Sequence, residues 1–243
     1  MTRRFFVERA LVRGTAKLIG AEAHHAAHVM RVRVGDRVTL FDGSGLEVSA
    51  GVTRVGRHEI ELDVGQPRHV DRELGSALTL GVALPKGERQ RWLVEKLVEL
   101  GTTRLVPLIT ERAVAQPGQN TRDRLQRAVI EATKQCGRNR LMDVGQPQRL
   151  ADYLVSAPES AVRLVAHVEG GPLRVVQAGP CDVFCAVGPE GGFTDDEVTA
   201  CDRLGWQRVN LGRRILRVET AAVALSAFFS VRLEEREAAA EQS

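Results

Sequence analysis

The sequence predicts an α/β protein in two parts: a small barrel of short strands, then a mostly parallel sheet covered by helices on both sides. Three observations carry the prediction. Residues 1–70 hold closely spaced strand-like runs punctuated by glycine turns. From Leu78 onward, β-rich apolar runs alternate with stretches of helical periodicity, which implies parallel strands joined by crossover helices. Between the two, residues 67–75 are polar and charged, as a linker would be.

Taken in order, residues 3–7 and 15–19 read as strands, and 21–32 as one short helix carrying His24, His25 and His28. Val34-Gly35-Asp36 signals a turn into a strand at 37–41, whose residues alternate with period two. Asp42-Gly43-Ser44-Gly45 is a hairpin turn, followed by strands at 47–55 and 59–64. In the second part, 78–84 is strand-like. Residues 88–100 form a helix with apolar Trp92, Leu93, Val94, Leu97 and Val98, ending at Gly101 as a C-cap. A buried strand at 105–109 precedes an amphipathic helix at 121–136. Strands follow at 162–168 and 183–187. Thr194-Asp195-Asp196-Glu197 is a capping box that opens a helix stopping at Gly205. A short strand at 209–211 leads to a helix at 219–232, apolar on most faces, which suits a core helix or a dimer face equally.

The composition is that of an ordinary globular chain: 243 residues, 43% hydrophobic, 27% charged, net charge +3. The small net charge argues against a histone-like binder, and seven Phe, two Trp and one Tyr argue against a dense base-stacking platform. The charge is unevenly spread, however. It runs +3, −1, +6 and −5 over residues 1–70, 71–84, 85–149 and 150–243. A basic first part suits an anionic partner, while an arginine-rich solvated surface accounts for it too. The four cysteines, Cys136, Cys181, Cys185 and Cys201, make no disulfide framework. Cys181 and Cys185 lack a second ligand pair, so they read as buried apolar residues rather than zinc ligands. The three histidines at 24, 25 and 28 have no carboxylate or thiol in a ligand pattern and read as a helix surface, so no metal is expected. The N-terminus lacks a signal-peptide apolar core and the most apolar stretch, 220–231, is too short to span a bilayer. A cytoplasmic protein without membrane attachment is expected.

In open parallel sheets ligands bind beyond the carboxyl ends of the strands. Three loops qualify: Ala166-His167-Val168-Glu169-Gly170-Gly171, Gly188-Pro189-Glu190-Gly191-Gly192-Phe193, and Leu211 to Arg217 leading into Val218-Glu219-Thr220-Ala221. Glycine lets backbone approach a ligand, helix N-termini offer free N–H groups, and Leu211, Ile215 and Leu216 could sandwich a flat ring. The spacing fits neither a dinucleotide fingerprint nor a phosphate-binding P-loop. No nucleophile elbow is present. A second, basic constellation comprises Lys86, Arg89 and Arg91, then Arg112, then Lys134 and Arg138. It would line a phosphate-contacting surface, or simply solvate helix ends.

Together the second and third loops resemble the cofactor-binding signature of the SPOUT methyltransferases. Further strings narrow the resemblance to the ribosomal RNA small subunit methyltransferase E family. They are Arg4-Phe5-Phe6, His25 with Val29-Met30-Arg31-Val32, Gly35-Asp36-Arg37-Val38 with Phe41-Asp42-Gly43, Lys86-Gly87, Lys96 with Glu99-Leu100-Gly101, Pro107, Thr110-Glu111-Arg112 and Gln135-Cys136-Gly137-Arg138. The match runs through almost the whole chain in order. Ala113 and Met142 depart from the pattern.

The resemblance implies a PUA-like β-barrel over residues 1–72 and a SPOUT methyltransferase domain over 73–243, the latter containing a C-terminal trefoil knot. It implies a cytoplasmic homodimer that transfers a methyl group from S-adenosyl-L-methionine to N3 of one uridine in 16S rRNA of the 30S subunit. The cofactor would be held by Ala166, His167, Val187, Gly188, Glu190, Gly191, Gly192, Leu211, Gly212, Ile215, Leu216, Thr220 and Ala221. Uracil N3–H is a weak acid, so Arg217 or Arg112 would stabilise the developing anion, and Glu190 would act as a base or brace the cofactor loop. Arg4, Arg31, Arg33, Lys86, Arg89, Lys134 and Arg138 would contact RNA.

Overall fold

The computed structural model describes residues 3–113, 116–118, 120–175 and 181–240. Two compact units result. The first runs to Glu73 and takes in Ile130–Leu141; the second holds Leu74–Val129 and everything from Met142. The inclusion of Ile130–Leu141 is new, because helical periodicity through residues 121–136 carries no sign of a change of unit.

In the first unit, β1 (Arg4–Phe6), β2 (Gly14–Ile19), β3 (Arg37–Phe41), β4 (Leu46–Val55), β5 (Glu59–Val64) and β6 (Arg68–His69) form one sheet. Its order is β1-β3-β4-β5-β2, with β6 on β4; β1 and β3 are parallel and the other pairs antiparallel. Alternate residues point inward: Val38 and Leu40 from β3, Val48, Ala50 and Val52 from β4, Ile60, Leu62 and Val64 from β5. Phe5 of β1 and Leu18 of β2 join them in a single apolar cluster. Every long strand of the sheet feeds one cluster, as the small barrel the sequence predicts requires, with β1 and β2 at the two ends of the strand path. The stretch 67–75, expected as a linker, instead supplies β6.

The helix predicted over 21–32 is shorter and irregular. It comprises α1 (Gly20–His24) and a π-helical turn at His25–Val29. Arg31 then takes a positive φ of 52°, the position where glycine usually closes a helix. The Val32 N–H reaches back to the Ala26 carbonyl at 3.0 Å, and Val32 itself is buried in the core. Burial of Val32 holds Arg31 in a conformation that costs an L-residue roughly 1–2 kcal/mol.

The second unit contains β7 (Leu78–Val82), α2 (Arg89–Glu99), β8 (Arg104–Ile109), most of α3 (Thr121–Cys136), β9 (Asp143–Val144) and β10 (Gln148–Arg149). It continues with α4 (Leu150–Ser156), β11 (Val162–Pro172), β12 (Val183–Val187), α5 (Asp195–Arg203), β13 (Gln207–Asn210) and α6 (Val218–Ala240). The strand order is β10-β8-β7-β12-β11-β13, with β9 on β8, and every pair is parallel. All five residues of β7 are buried, as in a strand covered on both faces. On one face Val106, Leu108, Val165 and Ala186 meet α4 and α5 through Leu150, Tyr153, Leu154, Val198 and Cys201. Helices α2 and α6 pack on each other, α6 lying against β7 and β12 through a stripe of Ala222, Leu225 and Phe229. The core reading of the last helix therefore holds for this stripe, while Val231 stays exposed.

Gly81, mid-strand in β7, is explained by Tyr153. A Cβ there would lie 2.6 Å from the tyrosine ring. The ring is fully buried and its hydroxyl donates to the Cys185 carbonyl at 2.9 Å. Cys185 and Cys201 are buried apolar residues, and burial pushes the Cys201 thiol up to about 12. Cys181, also expected to be buried, is partly exposed.

Candidate active site

Of the three loops singled out in the sequence, the second and third leave the carboxyl ends of β12 and β13, and the first lies within β11, the strand between them. Each is shaped by a distinct local constraint. After β12, a Cβ on Gly188 would press on the Phe193 ring at 3.1 Å, and Gly192 sits at φ 69°. The buried Phe193 anchors the loop, and the Gly192 N–H closes it onto the Pro189 carbonyl at 2.8 Å. Arg112, in the loop after β8, donates from Nη1 to the Gly191 and Phe193 carbonyls, both at 3.1 Å. The structure therefore gives Arg112 the work of bracing this loop.

The capping box of α5 forms, Thr194 Oγ1 accepting from the Glu197 N–H and Glu197 Oε2 from the Thr194 N–H. Glu197 has a second task. Its Oε1 accepts from the Glu111 N–H at 3.0 Å, which ties the loop after β8 to the loop after β12. The sequence shows only the cap.

The first loop is an insertion within β11. Ala166 and Gly171 both pair with Val209 of β13, so residues 167–170 bulge out between them. Gly170 lies against β13 so closely that a Cβ would sit 2.5 Å from the Val209 backbone nitrogen. Asn210 fastens this bulge to the third loop: its Nδ2 donates to the Val168 carbonyl and its Oδ1 accepts from the Gly212 N–H. Gly212 has φ 116°, a conformation suited to glycine. Asn210 is the organising residue that sequence reasoning missed. An Asn two residues before a glycine, the signal of an Asx turn, could have found it.

In the third loop Arg213, Arg214, Ile215 and Arg217 are exposed, Ile215 at 90%. The Ile215 side chain thus points to solvent, while Leu211 and Leu216 are half-buried. Among the described residues Arg217 has no ion pair, so its guanidinium is available. Val218 and Ala221 are buried, Thr220 is exposed, and the Ala221 N–H to Arg217 carbonyl bond starts α6. Ala166 and His167 are half-buried and Val187 is buried at the end of β12.

Glu190 is half exposed, with Oε1 3.6 Å from Arg89 Nη1. The same nitrogen is 3.4 Å from Oε1 of Glu219, a residue only 6% exposed. Arg89, expected to face RNA, thus sits between two carboxylates.

Three other expected RNA contacts are corrected by the first unit's interior. Arg4 is buried; it pairs with Glu47 at 2.9 Å and donates to the Arg138 carbonyl and to Asn139. Lys134 is buried against Glu22 at 2.8 Å and Glu131 at 3.0 Å. Arg138 is buried against Glu73. Buried charges need such partners, and these donors are spent inside the fold. Arg31, Arg33 and Lys86 are exposed. Among the described residues no group of His, Cys, Asp and Glu could hold a metal ion, and no helix is long and apolar enough to cross a membrane.

The RNA methyltransferase domain family matches residues 72–230, and the RNA methyltransferase PUA domain family matches residues 18–65. A Synechocystis protein described as ribosomal RNA small subunit methyltransferase E is 33% identical over 234 residues, which cover 92% of this chain and 75% of that protein. The chain belongs to the ribosomal RNA small subunit methyltransferase E family. A methyltransferase E of Bacillus subtilis is 30% identical, with 88% of this chain and 89% of that one covered. The crystal structure of the Neisseria gonorrhoeae methyltransferase E, bound to S-adenosyl methionine, superposes with a TM-score of 0.89 at 31% identity, over 95% of this chain and 98% of that one. The family's architecture, a PUA-like unit followed by a parallel-sheet unit, is the one described above.

Proposed function

We propose that this chain is an S-adenosyl-L-methionine-dependent methyltransferase of the small ribosomal subunit that methylates N3 of one uridine in 16S rRNA. The observation that carries the reading is the set of three glycine-shaped loops held together at the carboxyl edge of one parallel sheet. The residues present fit the cofactor. Gly192 and Gly212 leave open space where a side chain would stand, half-buried Leu211 and Leu216 offer apolar surface for an adenine ring, and Glu219 supplies an anion for a cationic ligand.

When bound, the cofactor supplies an electrophilic methyl group on a sulfonium. The chain's own residues have to position the base and deal with the N3 proton, and positioning supplies much of the rate of such an in-line displacement. Arg217, exposed and without an ion-pair partner among the described residues, stabilises the uracil anion as N3 loses its proton in this reading. Glu190 is the carboxylate at the mouth of the loop that can take that proton. Arg112 fixes the backbone of residues 191–193 and acts through it. Arg31 and Arg33 on the first unit, and Lys86 on the second, are left as phosphate contacts.

The same reading includes a C-terminal trefoil knot, a homodimer and a cytoplasmic site of action. The return of the chain from edge strand β13 to α6, which lies over central strands β7 and β12, supports the knot. The decisive experiment incubates the protein with 30S subunits from a strain lacking the enzyme and maps the methylated nucleotide by mass spectrometry. One N3-methyluridine in 16S rRNA is expected; a product in tRNA, or methylation at carbon or ribose, would overturn the assignment.

A further inference from the structure

Between Asp202 and Glu219 the sequence holds five arginines and no acidic residue, inside a C-terminal part that is acidic overall. Arg208, in β13, is spent on Asp202. Arg213, Arg214 and Arg217 are exposed and pair with no carboxylate among the described residues. Ile215, beside them, is 90% exposed, so the tip of this loop is covered by nothing in the described fold. The root of the loop is held: Asn210 Oδ1 accepts from the Gly212 N–H at 2.7 Å, at the carboxyl end of β13. The arginines are thus carried outward on an anchored base. Three like charges within five residues repel one another, and a polyanion relieves that repulsion.

We propose that Arg213 and Arg214 grip the RNA phosphates on either side of the target uridine and so turn its N3 edge toward the cofactor loops. The inference rests on the rRNA reading above and extends it to two side chains given no role there. The cofactor is a poor match for these residues. S-adenosylmethionine carries one net positive charge and a single carboxylate, whereas a polynucleotide offers one anion at every nucleotide. A guanidinium is a planar fork that meets a phosphate with two parallel N–H donors. Consecutive Cα atoms lie about 3.8 Å apart, so two long side chains from one point of the chain can reach phosphates that flank one nucleotide. The chemistry asks for such a grip. N3 sits on the pairing edge of uracil between two carbonyl groups, and in-line displacement needs that edge, not the ring face, turned to the methyl group. The glycosidic bond transmits the setting of the backbone to the base, so fixing both flanking phosphates fixes the edge. Arg213 and Arg214 act here as positioning residues, and Arg217 keeps the role at the base.

The test uses the full chain and 30S subunits from a strain lacking the enzyme. It compares wild type with two double variants, Arg213→Ala with Arg214→Ala, and Arg213→Lys with Arg214→Lys. A contact kept from ground state to transition state appears in KM and not in kcat. The alanine pair is therefore expected to raise KM for 30S subunits about tenfold or more and to leave kcat within about twofold. It should also make the salt dependence of subunit binding shallower by about 1.5 in log–log slope, the share of two phosphates. The lysine pair, which keeps both charges, should restore the slope. Calorimetry with S-adenosylhomocysteine should give all three proteins the same affinity within twofold. Unchanged KM and slope in the alanine pair, a loss confined to kcat, or a slope that the lysine pair leaves shallow overturns the proposal. Weaker S-adenosylhomocysteine binding would give the arginines to the cofactor, and a changed oligomeric state in sedimentation would give them to a subunit contact; either result overturns it as well. Failure of the wild type to methylate 30S subunits would instead count against the rRNA reading itself.

Discussion

Replacing Gly170 by alanine should damage the site through the backbone of a neighbouring strand, whereas the same change at Gly171 should do almost nothing. The added Cβ at residue 170 would lie 2.5 Å from the Val209 nitrogen, 2.6 Å from the Val209 carbonyl carbon and 2.7 Å from that of Arg208. These atoms belong to β13 and cannot swing aside as a side-chain tip could. Relief requires β13 to move off β11, and with it Asn210 and the loop that Asn210 holds. Overpacking of this kind costs about 1–3 kcal/mol, and loosening one or two strand hydrogen bonds adds about 1 kcal/mol each. A total near 3 kcal/mol corresponds to a fall in Tm of roughly 6–12 °C for a chain of this size. At Gly171 a Cβ meets nothing within 4 Å, and the backbone is not in the left-handed region. Gly171→Ala should therefore stay within about 0.5 kcal/mol of wild type. Differential scanning calorimetry reads the stability and titration with S-adenosylhomocysteine reads the site. Gly170→Ala should be both less stable and weaker in binding. Wild-type Tm and affinity in Gly170→Ala, or equal damage in both variants, would refute the packing argument for the β11 bulge.

Other outcomes follow from the same structure. Burial works to raise the Glu47 carboxyl, but hydrogen bonds from Arg4, Arg68 and Arg72 outweigh it and hold it at about 2, against an ordinary 4.5. A depressed carboxyl stabilises the fold above its unfolded value and loses that effect as pH falls from about 4.5 toward 2, by about 3 kcal/mol in all. Urea unfolding should show wild type losing its advantage over Glu47→Gln across that window and keeping it unchanged between pH 6 and 8. Arg217→Ala should lower turnover by at least about a hundredfold, the scale of one lost anion-stabilising donor, with S-adenosylhomocysteine affinity held within a few-fold; unimpaired turnover would remove Arg217 from the chemistry. Arg31→Ala with Arg33→Ala should weaken rRNA binding and flatten its salt dependence without lowering Tm. Arg138→Ala should do the reverse, because its charge is spent on Glu73.

Much of the fold was legible because its elements are long enough to show a period. The alternation of Val38, Leu40, Val48, Ala50 and Val52 announces strands with one buried face, and the runs at β7 and β12 announce strands buried on both. The elements that were not legible are short. Strands β6, β9 and β10 have two residues each, and α4 has seven, too few for periodicity to separate them from loops. The helix at 21–32 was overextended for a different reason. Its apolar spacing continues past Val29, but burial of Val32 pulls Arg31 into the left-handed region and ends it.

The candidate site divides along a similar line. Gly188, Gly191, Gly192 and Gly212 stand out in sequence because they cluster in loops that follow strands of one sheet, although each alone would suit an ordinary turn. Arginines do not disclose their partners in the same way. Arg4, Arg31, Arg33, Lys134 and Arg138 look alike as basic residues in a basic region. Whether each is a phosphate contact or an internal strut depends on a carboxylate distant in the chain. Glu47 is 43 residues from Arg4, Glu73 is 65 from Arg138 and Glu22 is 112 from Lys134.

The chain order of residues was therefore enough to establish the fold class, the family and the three loops, because local periodicity and contiguous motifs are written along the chain. Which charges are buried, that Arg112 braces a loop, and that Asn210 ties β11 to the third loop emerged only once the chain was folded. Each of these depends on atoms brought together across many residues, and a pairing at that range leaves no period in the sequence.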